Sequence, residues 1–312
     1  MHVPERVVTN DELATYVDTS DEWIRERTGI RERRMVGPDE AMSDLSLPAS
    51  RRALEMAGID PATIDLVIVA TVTADMSFPS TAALLADALG MPDAAAYDLS
   101  AGCTGFMYAL VQGYGMVASG LSRRALVVGG DVLSRILDWE DRGTCVLFGD
   151  GAGALVLRAV SEAAPGGRFI LSTHLHSDGR LYDILYVDGG PSSSRSTGFL
   201  RMEGREVFRQ AVQHLSAVIE EALAANGLTV ADVDWLVPHQ ANGRIIEGVG
   251  RKLGLSQDKV VSTIERHANT SAASIPLALE VAVGDGRIKP GDLVLMEALG
   301  GGLTWAARLV RW

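Results

Sequence analysis

The sequence predicts an α/β fold made of two duplicated halves, and three observations carry that expectation. Short continuous apolar runs, such as residues 64–70 and 124–129, read as strands buried on both faces. Stretches with helical spacing of apolar residues lie between them, the alternation expected of a mainly parallel sheet. Residues 54–70 (LEMAGIDPATIDLVIVA) also lie without a gap on 223–239 (LAANGLTVADVDWLVPH), with Leu54/Leu223, Gly58/Gly227, Ala62/Ala231 and Asp65/Asp234 coinciding. Residues 118–129 then resemble 284–297, again a helix end, a glycine and a buried strand. Each match alone is weak, because helix–strand units look alike; two in the same order point to a duplication. The halves are expected as residues 1–160 and 161–312, joined at the loose stretch Ala163-Ala164-Pro165-Gly166-Gly167.

In chain order, Asn10 or Asp11 and then Ser20 mark helix starts, and a helix is expected over 43–58. The strand at 64–70 precedes a helix at 79–89 and an apolar run, 94–99, that ends in Ser100-Ala101-Gly102-Cys103. Phe106, Met107, Leu110, Val111, Tyr114 and Val117 follow at helical spacing, so Cys103 is expected at the start of a buried helix. Unpaired N–H groups and the helix dipole favour a thiolate there, the nucleophilic form. A small buried hydrophobe is the other reading of such a cysteine. After the strand at 124–129, residues 144–148 and 154–157 read as a glycine-rich hairpin. Gly149 to Ala154 fit the letters of a dinucleotide fingerprint, but a strand follows where a helix is required, so no nucleotide site is expected. His174 and His176 read as polar loop histidines rather than metal ligands, and Cys145 reads as core.

A strand ending at Pro238 delivers His239 to its carboxyl end, where open α/β sheets bind ligands. A further strand is expected at 260–264, ahead of His267-Ala268-Asn269-Thr270-Ser271, and Pro276 marks the first turn of the next helix. Asn269 is either a site residue or a cap. The strand at 293–297 runs into Gly300-Gly301-Gly302, which permits close backbone approach. A cysteine, a histidine, an asparagine and a glycine turn thus hold equivalent places in two related halves. Converging at their junction, they would supply a nucleophile, polar donors and free N–H groups.

Composition narrows the function classes. With 312 residues, 47% hydrophobic and 22% charged, the chain has room for one large or two medium domains. No apolar run is long enough for a membrane span, and the first ten residues lack the apolar core of a signal peptide. Two cysteines form neither a disulfide framework nor a metal pattern, so a cytoplasmic setting is expected. The net charge of −12 argues against nucleic-acid binding, and any acidic partner needs a local basic patch.

The segments TSDEWIRERTGIRERR (19–34), FPSTAALL (78–85), AGCTGF (101–106), DRGTCVLFGDGAGA (141–154), VPHQANGRI (237–245), RHANTSAASIP (266–276) and GGGLTW (300–305) cover nearly the whole chain. Together they resemble the β-ketoacyl-[acyl-carrier-protein] synthase III family, condensing enzymes of the thiolase superfamily. The resemblance implies a thiolase-like fold layered α-β-α-β-α, a homodimer, and a triad of Cys103, His239 and Asn269. Cys103 would take an acyl group from acyl-CoA, and malonyl-acyl carrier protein would then lose CO₂. His239, largely neutral, and Asn269 would donate to the enolate, while the N–H groups of Cys103 and Gly301 would hold the oxyanion. No metal or redox cofactor is implied. The resemblance places the CoA adenine between Trp23 and Arg142, its phosphates near Arg27 and its pantetheine along Asn242. The acidic carrier would dock on Arg244, Arg251 and Lys252 of one helix and Arg209 of another.

Phe78, Thr104 and Leu299 would wall the acyl pocket, and Phe78 matches members restricted to short primers, so acetyl-CoA is expected. Three features depart from the family pattern. The chain starts at Met1-His2-Val3 without the family's short first strand, Leu299 stands where phenylalanine is common, and Thr104 stands where alanine or serine often sits. The strand at 124–129 and its neighbouring helix are consistent with a dimer interface. A ketosynthase of a secondary pathway is the alternative within the superfamily. A Cys-His-Asn thioester hydrolase, from a different class, would lose its acyl group to water.

Overall fold

A computed structural model describes residues 1–160 and 167–312, so the expected boundary and all but Gly167 of the expected junction lie outside the described residues. The chain opens with β1 (Val7–Thr9), α1 (Asn10–Leu13), α2 (Asp21–Thr28) and β2 (Glu32–Arg34). It continues through α3 (Met42–Ala57), β3 (Leu66–Ala70), α4 (Thr81–Ala88), β4 (Ala95–Leu99), α5 (Gly105–Ala118), β5 (Arg124–Asp131), α6 (Arg142–Cys145) and β6 (Gly151–Arg158). The second half supplies β7 (Phe169–Ser177), β8 (Leu185–Val187), β9 (Leu200–Met202), α7 (Gly204–Ala225) and β10 (Trp235–Pro238). It ends with α8 (Gly243–Leu253), α9 (Ile264–His267), α10 (Ser274–Gly284), β11 (Leu293–Gly300) and β12 (Thr304–Arg311). None of these helices is long and apolar enough to cross a membrane.

Two four-stranded sheets carry the architecture, in the orders β4-β3-β5-β6 and β10-β11-β12-β7. The first is mainly parallel, as expected, with β3 parallel to β4 and β5 and only β5–β6 antiparallel; the second is mainly antiparallel, with β10 parallel to β11 but β11–β12 and β12–β7 antiparallel. The duplication is visible strand by strand. Leu66 and Trp235 open β3 and β10, and Arg124 and Leu293 open β5 and β11, both separations matching that of Leu54 and Leu223 in the repeat.

Burial explains the layering. One apolar cluster joins the inner face of the first sheet (Ile68, Val127) to α5 (Phe106, Leu110), α10 (Ile275, Leu279) and the second sheet (Val294, Met296). The outer face of the first sheet (Val67, Val69) packs under α3 and α4 through Leu45 and Leu85. Leu236 and Leu295 on the outer face of the second sheet meet Leu215 of α7 and Ile246 of α8. The result is helix, sheet, helix pair, sheet, helix. Continuous apolar runs are what strands covered on both faces require.

Four local expectations are corrected. Residues 144–148 do not form a strand: Asp141 caps α6 by accepting from the Gly143 N–H, and β6 pairs with β5 instead of closing a hairpin. The expected strand at 260–264 shrinks to a single parallel bridge between Leu236 and Val260, with α9 starting at Ile264. His174 and His176 lie in strand β7 rather than a loop. Finally, β5 pairs with β3 and β6 inside its sheet, so it has no free edge to offer; the edge without a partner among the described residues is β4. Where β7 flanks β12 in the second half, β6 has only an antiparallel bridge from His2 to Ala152.

Candidate active site

Cys103 sits in a tight 3₁₀ turn, Gly102–Thr104, that runs straight into α5. The turn needs Gly102 for its left-handed φ of 54°, and its counterpart in the repeat, Ser271, has φ 49°. The glycine turn after β11 presses against it: a Cβ at Gly300 would lie 2.6 Å from the Cys103 nitrogen, and one at Gly102 would lie 3.2 Å from the Gly301 nitrogen. The repeat pairs Gly300 with Asp131 and Cys103 with Ala272. Asp131 accepts the Ala272 N–H at 3.3 Å, whereas glycine at 300 brings no carboxylate to Cys103. Among the described residues, the N–H groups of Cys103 and Gly301 donate to no backbone carbonyl, and the Cys103 N–H turns only toward its own thiol, which leaves both available to a substrate oxygen.

The thiolate expected at this helix start is corrected. Burial is the largest influence on the Cys103 thiol and pushes it up to about 11; hydrogen bonding by Ser271 opposes the rise and the buried Asp131 carboxylate adds to it. Loss of hydration disfavours the charged thiolate here.

His239 leaves β10 with only 4% of its surface exposed. Its N–H donates to the Glu297 carbonyl at 2.7 Å, and Nδ1 lies 2.6 Å from the Ser274 Oγ. Burial pulls the imidazole down to about 3, so the ring is neutral at pH 7. In the tautomer that accepts from Ser274 at Nδ1, the ring proton sits on Nε2. Asn269 is held by its backbone to Leu147 and Gly149 at 3.0 Å each, its Oδ1 accepts the Ser271 N–H at 2.9 Å, and Nδ2 donates to the Ala241 carbonyl at 3.4 Å. Ser271 and Ser274 carry no signal in the sequence: Ser274 is 35 residues from His239, and only the fold brings its hydroxyl to the ring.

Cys103, His239, Asn269, Leu299 and Gly301 line a single cavity of about 1990 Å³. That exceeds the usual few hundred to ~1,000 Å³ of a small-molecule site and suits a long, flexible substrate arm. Trp23, Arg27, Asn242 and Arg244 also line it. The Arg27 guanidinium lies 4.7 Å and that of Arg142 5.0 Å from the Trp23 ring centre, so a base stacked between Trp23 and Arg142 requires Arg142 to swing away. The Asn242 Oδ1 caps α8 by accepting the Arg244 N–H at 2.9 Å.

The structure does not bring every expected residue to the cavity. Phe78 is 84% exposed and off the wall, on the loop before α4. Thr104 is buried behind the turn, where its hydroxyl meets the Ala101 carbonyl and the Thr304 hydroxyl, both at 2.6 Å. Arg209 is paired with Glu206 on α7, and Arg244 donates to the Glu26 carbonyl; Arg251 and Lys252 are exposed on the last turn of α8. His174 and His176 share the Glu221 carboxylate at 2.9 and 2.6 Å. Among the described residues no group of three His, Cys, Asp or Glu is placed to hold a metal ion.

With this geometry in hand, comparison with known proteins is decisive. Residues 97–179 match the family model of 3-oxoacyl-[acyl-carrier-protein] synthase III, and residues 223–312 match the model of its C-terminal part. The chain belongs to that family. A β-ketoacyl-[acyl-carrier-protein] synthase III of Paramagnetospirillum magneticum is 61% identical over 99% of this chain and 96% of its own length, and one of Erythrobacter litoralis is 58% identical with the same coverage. Among solved structures, 3-oxoacyl-[acyl-carrier-protein] synthase III of Aquifex aeolicus aligns with TM-score 0.94 and 43% identity, covering 100% of this chain and 97% of that one. The priming β-ketosynthase of the R1128 polyketide pathway aligns with TM-score 0.92 and 41% identity, covering 99% and 92%. The synthase III family is an acyltransferase family, and this chain has its thiolase-like fold.

Proposed function

We propose that this chain is a decarboxylating condensing enzyme that joins a short acyl-CoA to malonyl-acyl carrier protein, giving a 3-oxoacyl carrier, CoA and CO₂. The observation that carries the reading is the meeting of Cys103, neutral His239 and Asn269 on one cavity beside two N–H groups without a carbonyl partner among the described residues. The Cys103 sulfur attacks the acyl-CoA carbonyl as its proton passes to the departing CoA sulfur, because a thiol near 11 is not ionised in advance. The N–H groups of Cys103 and Gly301 hold the oxyanion in this step and again during condensation. Malonyl thioester then loses CO₂; the enolate oxygen accepts from His239 Nε2–H and the Asn269 amide. Its carbon attacks the acyl group, and the Cys103 thiolate leaves and takes up from solvent the one proton that the overall reaction consumes. A hydrolase would need a base to activate water, and a ring held near 3 is poorly suited to that.

The proposed primer is acetyl-CoA, on the resemblance at Phe78; turnover of acetyl-, isobutyryl- and octanoyl-CoA tests it, and a strong octanoyl preference overturns it. CoA is assigned to the Trp23, Arg27, Arg142 and Asn242 rim. The carrier is assigned to the exposed Arg251 and Lys252, with Arg244 and Arg209 less free to serve because both are engaged. A homodimer, a cytoplasmic setting and the absence of a cofactor belong to the same proposal. The test of the reading is intact mass after acyl-CoA, with Cys103→Ala as control, followed by ¹⁴CO₂ release from carboxyl-labelled malonyl carrier. No mass gain on the wild type refutes the mechanism.

A further inference from the structure

Arg33 is a buried cation with no carboxylate partner among the described residues. It lies in β2 with none of its surface exposed, and burial lowers its guanidinium to about 10. Nη1 donates to Asn10 Oδ1 at 2.8 Å and to the Val8 carbonyl at 3.3 Å, Nη2 donates to the Val146 carbonyl at 2.9 Å, and Nε has no acceptor among the described residues. Removing a guanidinium from water is costly, so these three bonds need a reason beyond packing.

The reason lies two residues on. Val146 caps the end of α6, and the strip that follows pairs with Asn269 in both directions: the Asn269 N–H donates to Leu147, and the Gly149 N–H donates to Asn269. The strip rests directly on Arg33, for a Cβ at Gly149 would lie 3.1 Å from the Arg33 Cβ. Asn269 is also flanked by strained backbone. Ala268 has φ 56° and ψ −157°, a region kept almost entirely for glycine, and Ser271 has φ 49°. Such conformations persist only where the surroundings over-determine them. The other ties of Arg33 lead to the mouth of the cavity. Asn10 donates to the Ile30 carbonyl and to Asp21 of α2, the helix that carries Trp23 and Arg27.

We infer that Arg33 is a positioning residue for Asn269: through Val146 it fixes the strip that aims the Asn269 amide into the cavity. The inference rests on the reading of Asn269 as an enolate donor. Asn269 serves the decarboxylation step and not the acylation of Cys103, so Arg33 variants must separate the two half-reactions, which a general loss of structure does not.

The test uses the full chain. Acylation by acetyl-CoA is followed by intact mass, and ¹⁴CO₂ release from malonyl carrier by the pre-acylated enzyme, for Arg33→Lys, Arg33→Met and Asn269→Ala. An ångström of misplacement costs up to about a hundredfold, so CO₂ release should fall roughly ten- to hundredfold in R33M with acylation nearly unchanged. R33K keeps the charge and should recover part of the loss. If R33M does not fold, R33K decides alone: a selective loss of about threefold or more supports the inference. Equal losses in both half-reactions, or no loss in either, overturn it. If Asn269→Ala leaves CO₂ release intact, it is the reading of Asn269 that fails.

Discussion

Substituting Gly300 by alanine puts one methyl group where the nucleophile's turn meets the glycine turn. The added carbon would lie 2.6 Å from the Cys103 nitrogen, 3.0 Å from the Thr104 nitrogen and 3.2 Å from the Cys103 Cα. All three are backbone atoms, so no side chain can rotate to make room. Relaxing the closest contact toward ~3.4 Å requires the end of β11 and the Cys103 turn to part by roughly 0.8 Å. That separation falls between the Cys103 and Gly301 N–H groups, the two donors proposed for the oxyanion. Losing a donor typically costs about 10²–10³ in rate, and a misplacement of this size up to about 10². Overpacking adds a stability loss of about 1–3 kcal/mol. Gly300→Ala is therefore expected to slow both Cys103 acylation and CO₂ release about ten- to hundredfold in a protein that still folds. Gly115 is the control: it is exposed on α5 with nothing within 4 Å of an added Cβ, so alanine there should raise stability by roughly 0.5–1 kcal/mol and leave rates alone. Thermal melting and intact-mass kinetics read both variants. Wild-type acylation by a folded Gly300→Ala enzyme refutes the assignment of these donors.

Three further outcomes are expected. Ser274→Ala frees the Nδ1 of His239, so CO₂ release should drop about tenfold while acylation holds; equal loss of both argues against tautomer control. His239 is neutral down to about 3 in the fold but titrates near 6.5 when unfolded, so the unfolded chain binds the extra proton first. Its contribution is whole above ~6.5 and shrinks as pH falls toward 3, by about 2 kcal/mol at pH 5; His239→Gln should flatten that acid limb in denaturant titrations, and an unchanged limb counts against it. Arg308 is wholly buried, its two terminal nitrogens have no acceptor among the described residues, and burial lowers it to about 9. Arg308→Leu should stabilise by about 1–4 kcal/mol, raising the melting temperature by a few degrees, and a lower melting temperature overturns the reading.

The sequence by itself determined the element order of the core and the duplication, because strands buried on both faces must be continuously apolar and repeated units keep their spacing. It also placed Cys103 at a turn between a strand and a helix and His239 at a strand end, because both are local features, and the fold brings these two to one cavity with Asn269. Residues 144–148 and 260–264 misled because apolar composition alone does not separate a strand from a buried turn; the Asp141 cap and the lone Val260 bridge decided them. Tertiary structure alone decided the protonation of the site. Nothing local announces that burial raises the Cys103 thiol or keeps His239 neutral, because hydration is lost to residues distant in the chain. The same holds for Ser274 against His239, and for Phe78 standing off the wall while Thr104 supports the turn from behind. Contact and solvent exclusion belong to the folded chain, and they turn a correctly placed cysteine into a site with a defined charge state.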